Sequence, residues 1–206
     1  MTNRPSTHEL ARIIAALEKV GEFWCAFDVP LPRIWDDSSA ETRSLYATLI
    51  AEEFGELLDA KSRVDRLDAI CDLQYVALGG LLSCGFRGDL LKTHGWNRPL
   101  QKAVGDAVTR LRANPPCQQG CKSDVPSLVV TMQRFGEAAY KRFNDAFGAV
   151  HANNMKKLWE TPPDDASLTV KQKYVGQDVR YLVRRASDGK IIKPPNHTKV
   201  DLQEYI

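Results

Sequence analysis

LIAEEFGELLDA, residues 49–60, sets three carboxylates, Glu52, Glu53 and Glu56, into an otherwise apolar run. At about 100° per residue, a helix with Glu52 at zero carries Glu56 at about 40° and Glu53 at about 100°. Leu45, Leu49 and Ala60 fall among them, while Ser44, Thr48, Gly55 and Asp59 hold a separate polar sector. The acids therefore stand on the apolar side although a solvated side exists. Unpartnered buried anions cost several kcal/mol each, so the pattern predicts something positive at that face.

The next apolar run repeats the arrangement. In DRLDAICDLQYVALGG, residues 65–80, Asp65, Asp68 and Asp72 share one helical stripe, and the rest of the surface is apolar nearly all round. No lysine or arginine interrupts the stripe. Asp65, near the helix start, also fits a simple capping and dipole role. Two neighbouring antiparallel helices that each present acids at helical spacing make an oxygen-rich cage suited to a hard cation, magnesium first and manganese as its substitute.

Working outward, helical spacing over residues 6–27 predicts a first helix capped by Ser6 or Thr7 and ended by a turn with Pro30 and Pro32. Residues 40–61 and 65–84 give the acidic pair, and 98–113 a fourth helix. The segment from Asn114 to Pro126 reads as a loop, and 127–159 as one long helix or two shorter ones. Beyond Pro162 and Pro163, YLVRR and KIIKPP flank a Ser-Asp-Gly turn and predict a short β-hairpin. The expectation is an all-α antiparallel bundle over about residues 6–160, with a carboxy-terminal hairpin and tail over about 165–206, in one domain.

Composition bounds the function. The chain has 206 residues, 43% hydrophobic and 26% charged, which suits a globular domain. The most apolar stretch, Ile70 to Phe86, is broken by Asp72, Gly79 and Gly80, and no leader-like segment opens the chain, so the reading is cytoplasmic with no membrane partner. Five cysteines, with Cys71 and Cys84 in apolar segments, predict reduced thiols. The spacing of Cys117 and Cys121, with no third and fourth ligand nearby, is a poor zinc pattern. A net charge of +2 predicts no nucleic-acid partner. The halves differ: residues 1–100 hold 11 basic and 15 acidic side chains, residues 101–206 hold 17 and 11. That asymmetry suits a ligand combining metal ions and phosphates.

EEFGEL (52–57) followed by DAICDLQYV (68–76) resembles the paired acidic motifs of the all-α nucleoside triphosphate pyrophosphatases, the group that includes MazG-like enzymes and phosphoribosyl-ATP pyrophosphohydrolase. VGEFWCAFDVPLP (20–32), AVHANNMKKL (149–158) and DGKIIKPP (188–195) are similar to segments of its phosphoribosyl-ATP pyrophosphohydrolase-like, often phage-borne branch, in family order. The resemblance implies a magnesium-dependent hydrolase of acid anhydrides that converts a nucleoside triphosphate to the monophosphate and pyrophosphate. A purine deoxynucleotide such as dGTP is the leading substrate and phosphoribosyl-ATP the lesser one. The same likeness implies a homodimer or homotetramer in the cytoplasm, that of a host if the gene is phage-borne.

It assigns Glu53, Glu56 and Asp72 as metal ligands, with Glu52 as a further ligand or proton acceptor. Ala69 stands where many relatives carry a glutamate, and Asp68 is the substitute. Asn154 and Lys157 match substrate-side residues; Lys190 and Lys193 are further candidates for phosphate, and Tyr75 for the base. Trp24, Phe27 and Trp35 read as core aromatics that could also stack on a base. His151 reads as a structural histidine or a catalytic one. No Gly-x-x-x-x-Gly-Lys-Ser/Thr loop is present, which excludes P-loop chemistry. The alternative class is a noncatalytic helical module that senses nucleotides or binds a protein.

Overall fold

The computed structural model describes residues 4–30, 32, 39–85, 99–113 and 121–206, with the backbone alone for 121–123. Among them are six helices: α1 (Thr7–Ala26), α2 (Ala40–Asp59), α3 (Arg63–Ser83), α4 (Leu100–Arg112), α5 (Cys121–Ala139) and α6 (Phe143–Met155). The strands β1 (Leu168–Val175) and β2 (Asp178–Arg185) and a single 3-10 turn follow. Trp35 and Cys117 lie outside the described residues, as does the side chain of Cys121.

Local chemistry starts the helices where the sequence marks them. Ser6 caps α1 and Ser62 caps α3, each in a reciprocal box with the acid three residues on, Glu9 and Asp65. Asp65 is thereby a capping residue: its Oδ2 accepts from the Ser62 hydroxyl at 2.7 Å and from the Ser62 amide at 3.2 Å. Only Ala60 to Ser62 separate α2 from α3, which forces the two into an antiparallel hairpin.

Helix α3 is the axis of the bundle, packed against α1, α2, α5 and α6. Its buried positions run around the whole circumference, from Leu67 and Ile70 to Tyr75 and Leu78. The contact with α2 is close because Gly79 has no side chain: a Cβ there would run into the Tyr46 ring. Tyr46 in turn stacks on the fully buried Trp24 of α1, ring centroids 5.4 Å apart.

Two expectations need correction. The stretch from Asn114 to Pro126 is not all loop, since α5 begins at Cys121 and holds Pro126 within it. Proline close to a helix start forgoes a single amide hydrogen bond, and the burial of Val125, Leu128 and Val129 outweighs that loss. The hairpin does not turn at Ser-Asp-Gly. LTVKQKYV pairs with DVRYLVRR across a two-residue connection, with Val175 opposite Asp178 and Gly176 at φ 60, the arrangement of a II′ turn. The Ser-Asp-Gly segment makes a second reversal, after which Ile191 alone bridges back to Arg184. Prolines 194 and 195 carry no amide hydrogen and cannot extend that pairing. No described helix is long and apolar enough to cross a membrane.

Candidate active site

Acidic and basic side chains meet in one cavity of about 520 Å³, lined by α1, α2, α3, α6 and the carboxy-terminal segment. Glu53 enters from α2, and Asp68 and Asp72 from α3. Asn154 and Lys157 come from the end of α6 and the turn after it, and Lys193, His197 and Lys199 from the segment beyond the hairpin. Phe23, Tyr46 and Tyr75 supply aromatic wall. Three acids thus face three lysines across a partly apolar pocket.

The three glutamates of α2 separate here. Glu52 and Glu56 are exposed, and only Glu53 turns inward. The buried face of α2 is centred on Arg43, Tyr46, Ala47, Ile50 and Leu57, and Glu53 stands at its edge. The expectation that all three occupy the buried side is therefore corrected: Leu45, at 54% exposure, shares the outer side with Glu52 and Glu56, while the half-buried Leu49 lines the cavity with Glu53.

Glu53 carries the marks of an uncompensated charge. Its Oε2 is buried without a hydrogen-bond partner. Burial, then repulsion from Asp72, Glu56, Asp68 and Glu52, pushes its carboxyl up to about 7. Burial and then Asp68 likewise raise Asp72 to about 6, against the opposing pull of Lys157 and Lys199. Asp68 differs: it is 8% exposed, and its Oδ2 meets the Lys199 ammonium at 2.6 Å. Burial lowers the pKa of Lys157, with Lys193 acting in the same direction, and its Nζ lies 5.9 Å from the centre of the Phe23 ring.

These residues fit a divalent cation in chemistry and charge. Two oxygen donors, Glu53 and Asp72, are held in a half-dry setting where the protonated form gains on the charged one. They do not form a closed cage. Among the described residues no group of three acid, histidine or cysteine side chains converges on a metal position, so binding an ion requires side chains to rotate.

Behind the aromatic wall runs a polar chain that the sequence did not announce. Tyr75 Oη lies 3.1 Å from His151 Nδ1, and His151 Nε2 lies 3.2 Å from Glu22 Oε2. Burial lowers the His151 pKa, leaving the ring neutral. Its Nε2 hydrogen then points at the Glu22 carboxylate, so Nδ1 accepts from the Tyr75 hydroxyl. The phenol oxygen is left with lone pairs beside Asn154. His151 is thus a buried positioning group and does not line the cavity.

The structure brings Glu53, Asp68, Asp72, Tyr75, Asn154, Lys157 and Lys193 together, and leaves Glu52, Glu56 and Lys190 outside the cavity lining. Lys190 sits exposed at the second reversal, its backbone amide donating to Asp188 Oδ1 at 3.0 Å. Trp24 and Phe27 are fully buried core. Phe23, Tyr46, Asn153, His197 and Lys199 line the site unforeseen. Phe23 was readable as part of the amino-terminal aromatic segment, but Lys199 and His197 carry no local motif.

An uncharacterized protein of Acanthamoeba polyphaga mimivirus is 24% identical, in an alignment covering 85% of this chain and 89% of that protein. No solved structure matches. Residues 20–89, which carry Glu53, Asp68 and Asp72, match the family described as phosphoribosyl-ATP pyrophosphohydrolase, so this third of the chain is similar to the pyrophosphohydrolases of the MazG-like all-α nucleoside triphosphate pyrophosphatase superfamily.

Proposed function

We propose that the protein is a magnesium-dependent nucleoside triphosphate pyrophosphohydrolase, releasing a nucleoside monophosphate and pyrophosphate in control of the nucleotide pool. The observation that carries this is the meeting of Glu53, Asp68 and Asp72 with Lys157, Lys193 and Lys199 across one aromatic-walled cavity. Such a pocket suits a polyanion at its charged side and a flat base at its aromatic side. Glu53 and Asp72 would hold the ion, with Glu56 and Glu52 adding negative potential from the outer turn of α2. A bound magnesium ion offsets phosphate charge and acidifies water.

The rest falls to the chain. Lys157 and Lys193 neutralise phosphate oxygens. In the metal-free site the Glu53 carboxyl is pushed up to about 7; once it holds the ion, the proton of the attacking water falls to a carboxylate outside the coordination, Glu52 on the outer turn of α2. Phe23 and Tyr46 offer ring faces, and the Tyr75 oxygen, held by His151, accepts from a donor on the ligand. A deoxynucleotide with a purine base, dGTP among them, is the proposed substrate. The family match keeps phosphoribosyl-ATP as the competing one. Manganese should substitute for magnesium. Assembly as a homodimer or homotetramer belongs to the same reading and is open to light scattering; the exposed Leu45 and Leu58 on α2 support it.

The experiment is a panel of ribo and deoxy nucleoside triphosphates and phosphoribosyl-ATP, with products resolved as monophosphate or diphosphate. Monophosphate and pyrophosphate from at least one triphosphate are expected, and Glu53→Gln or Asp72→Asn should abolish release while helical circular dichroism persists. Binding without turnover would replace this reading with the noncatalytic nucleotide sensor.

A further inference from the structure

Asp68 is the one acid of the cavity with an ion pair among the described residues, and that pair comes from far along the chain. Lys199 follows the Pro194-Pro195 step, its stem 75% exposed, and its ammonium reaches in to Asp68 Oδ2 at 2.6 Å. Asp72 and Glu53 have no ion pair among the described residues, and Glu53 keeps an orphaned buried oxygen. The deficit of positive charge is therefore local: it lies at Glu53 and Asp72, while Asp68 is already neutralised. The next position, Ala69, is 3% exposed and brings no carboxylate to this corner. A second divalent ion would have to share Asp68 with an ammonium at hydrogen-bond distance, and like charges that close repel strongly in a half-dry site.

The same contact has a mechanical side. Lys193, His197, Lys199 and Val200 of the carboxy-terminal segment line the cavity, and the segment is fixed by Lys199 on Asp68, by His197 Nε2 at 3.2 Å from the Asn153 carbonyl, and by the fully buried Leu202 beyond. Removing the Lys199 charge would undo a neutralisation and a fastening together.

We propose that Lys199 is a built-in cation: its ammonium occupies at Asp68 the place a second divalent ion would need, and fastens the carboxy-terminal segment to α3 at a site that takes a single ion at Glu53 and Asp72. The ion count rests on the functional reading above; the fastening does not.

The test combines manganese titration, followed by electron paramagnetic resonance, with hydrogen exchange of residues 196–202, on the full chain and on Asp68→Asn, Lys199→Met and Asp72→Asn. One ion per chain is expected in the unaltered protein. Asp72→Asn should weaken binding by about ten-fold or more, and Asp68→Asn by less than about two-fold. Exchange of 196–202 should quicken about ten-fold or more in both Asp68→Asn and Lys199→Met, and should not quicken when manganese saturates the unaltered protein. Equal loss of manganese in Asp68→Asn and Asp72→Asn, or release of the segment by manganese, would overturn the proposal. If no form binds manganese, the cation reading of the function fails by itself, and exchange in the two variants decides the fastening: faster supports it, unchanged overturns it. The manganese arm with the unaltered chain needs no variant to fold.

Discussion

Glu52, Glu53 and Glu56 carry the same carboxyl on the same helix, yet only Glu53 is half-buried against other acids, and its carboxyl is pushed up to about 7. Asp72, raised to about 6, shares the effect. Both are carboxyls whose folded pKa exceeds the unfolded one, so between about pH 4 and about pH 7 these two groups bind more protons in the folded chain than in the unfolded one. Their contribution to metal-free stability therefore falls as pH rises through that window and stays low above it. Glu53→Gln removes the penalty. In chelator at pH 8 the variant should be more stable, by about 1–2 kcal/mol once solvent screening of a half-exposed group is allowed for, and near pH 4 the two should melt together. Thermal melts across pH check this. Saturating magnesium should reverse the order at pH 8, because only the unaltered protein gains from the ion. A wheel drawn on the sequence found the conflict between charge and burial but overstated it. It weighed Leu45 as core, whereas the true buried arc lies farther round, through Tyr46 and Ile50, and only tertiary packing decides that. Lys199 was illegible for a different reason: its partner is on α3, and nothing in the local sequence ties the two.

At the scale of elements, the acidic pair of helices was legible because each signal agreed: a capping residue, a period near 3.6 and a short connection that imposes antiparallel packing. The start of helix α5 and strand β1 were not. Pro126 is a breaker by rule, but near a helix start it is tolerated. LTVKQKYV lies exposed along most of its length, so it shows no apolar alternation to betray a strand. The α2–α3 contact makes its own prediction. Gly79 is helical and fully enclosed, and a methyl group there would meet the Tyr46 ring, which is itself held against Trp24. Gly79→Ala should therefore destabilise by about 1–3 kcal/mol despite the better helix propensity of alanine. Gly55→Ala, with open space at its Cβ on the same hairpin, should be neutral or stabilising. Denaturant melts of the two variants separate packing from propensity. Because Tyr46 also lines the cavity, the first should weaken ligand binding and the second should not.

Across the whole molecule the charge asymmetry of the two halves becomes spatial. Acids of α2 and α3 form one wall, and lysines from beyond α6 close over them, so two chain regions more than 80 residues apart in sequence complete one site. Such an arrangement divides labour: the acidic wall serves the cation, and the basic wall serves the phosphates. Lys157 is the sharper probe of the basic wall, because burial already lowers its pKa and its charge is costly to keep in place. Replacing it by methionine keeps the stem against Phe23 while removing the ammonium. Stability should stay within about 1 kcal/mol of the unaltered protein, since relief of a buried charge offsets the lost attraction to Asp72 and Glu53. KM for a triphosphate should rise about ten-fold or more, because a desolvated charge contact to phosphate is worth more than an exposed one. Salt adds a second readout. Raising ionic strength should raise KM for the unaltered protein by screening the exposed Lys193, and Lys157→Met should keep that dependence, since the half-buried contact it loses is the one salt screens least. Equal KM in the two proteins, measured with melts on the same preparations, would show that the phosphates do not meet this wall.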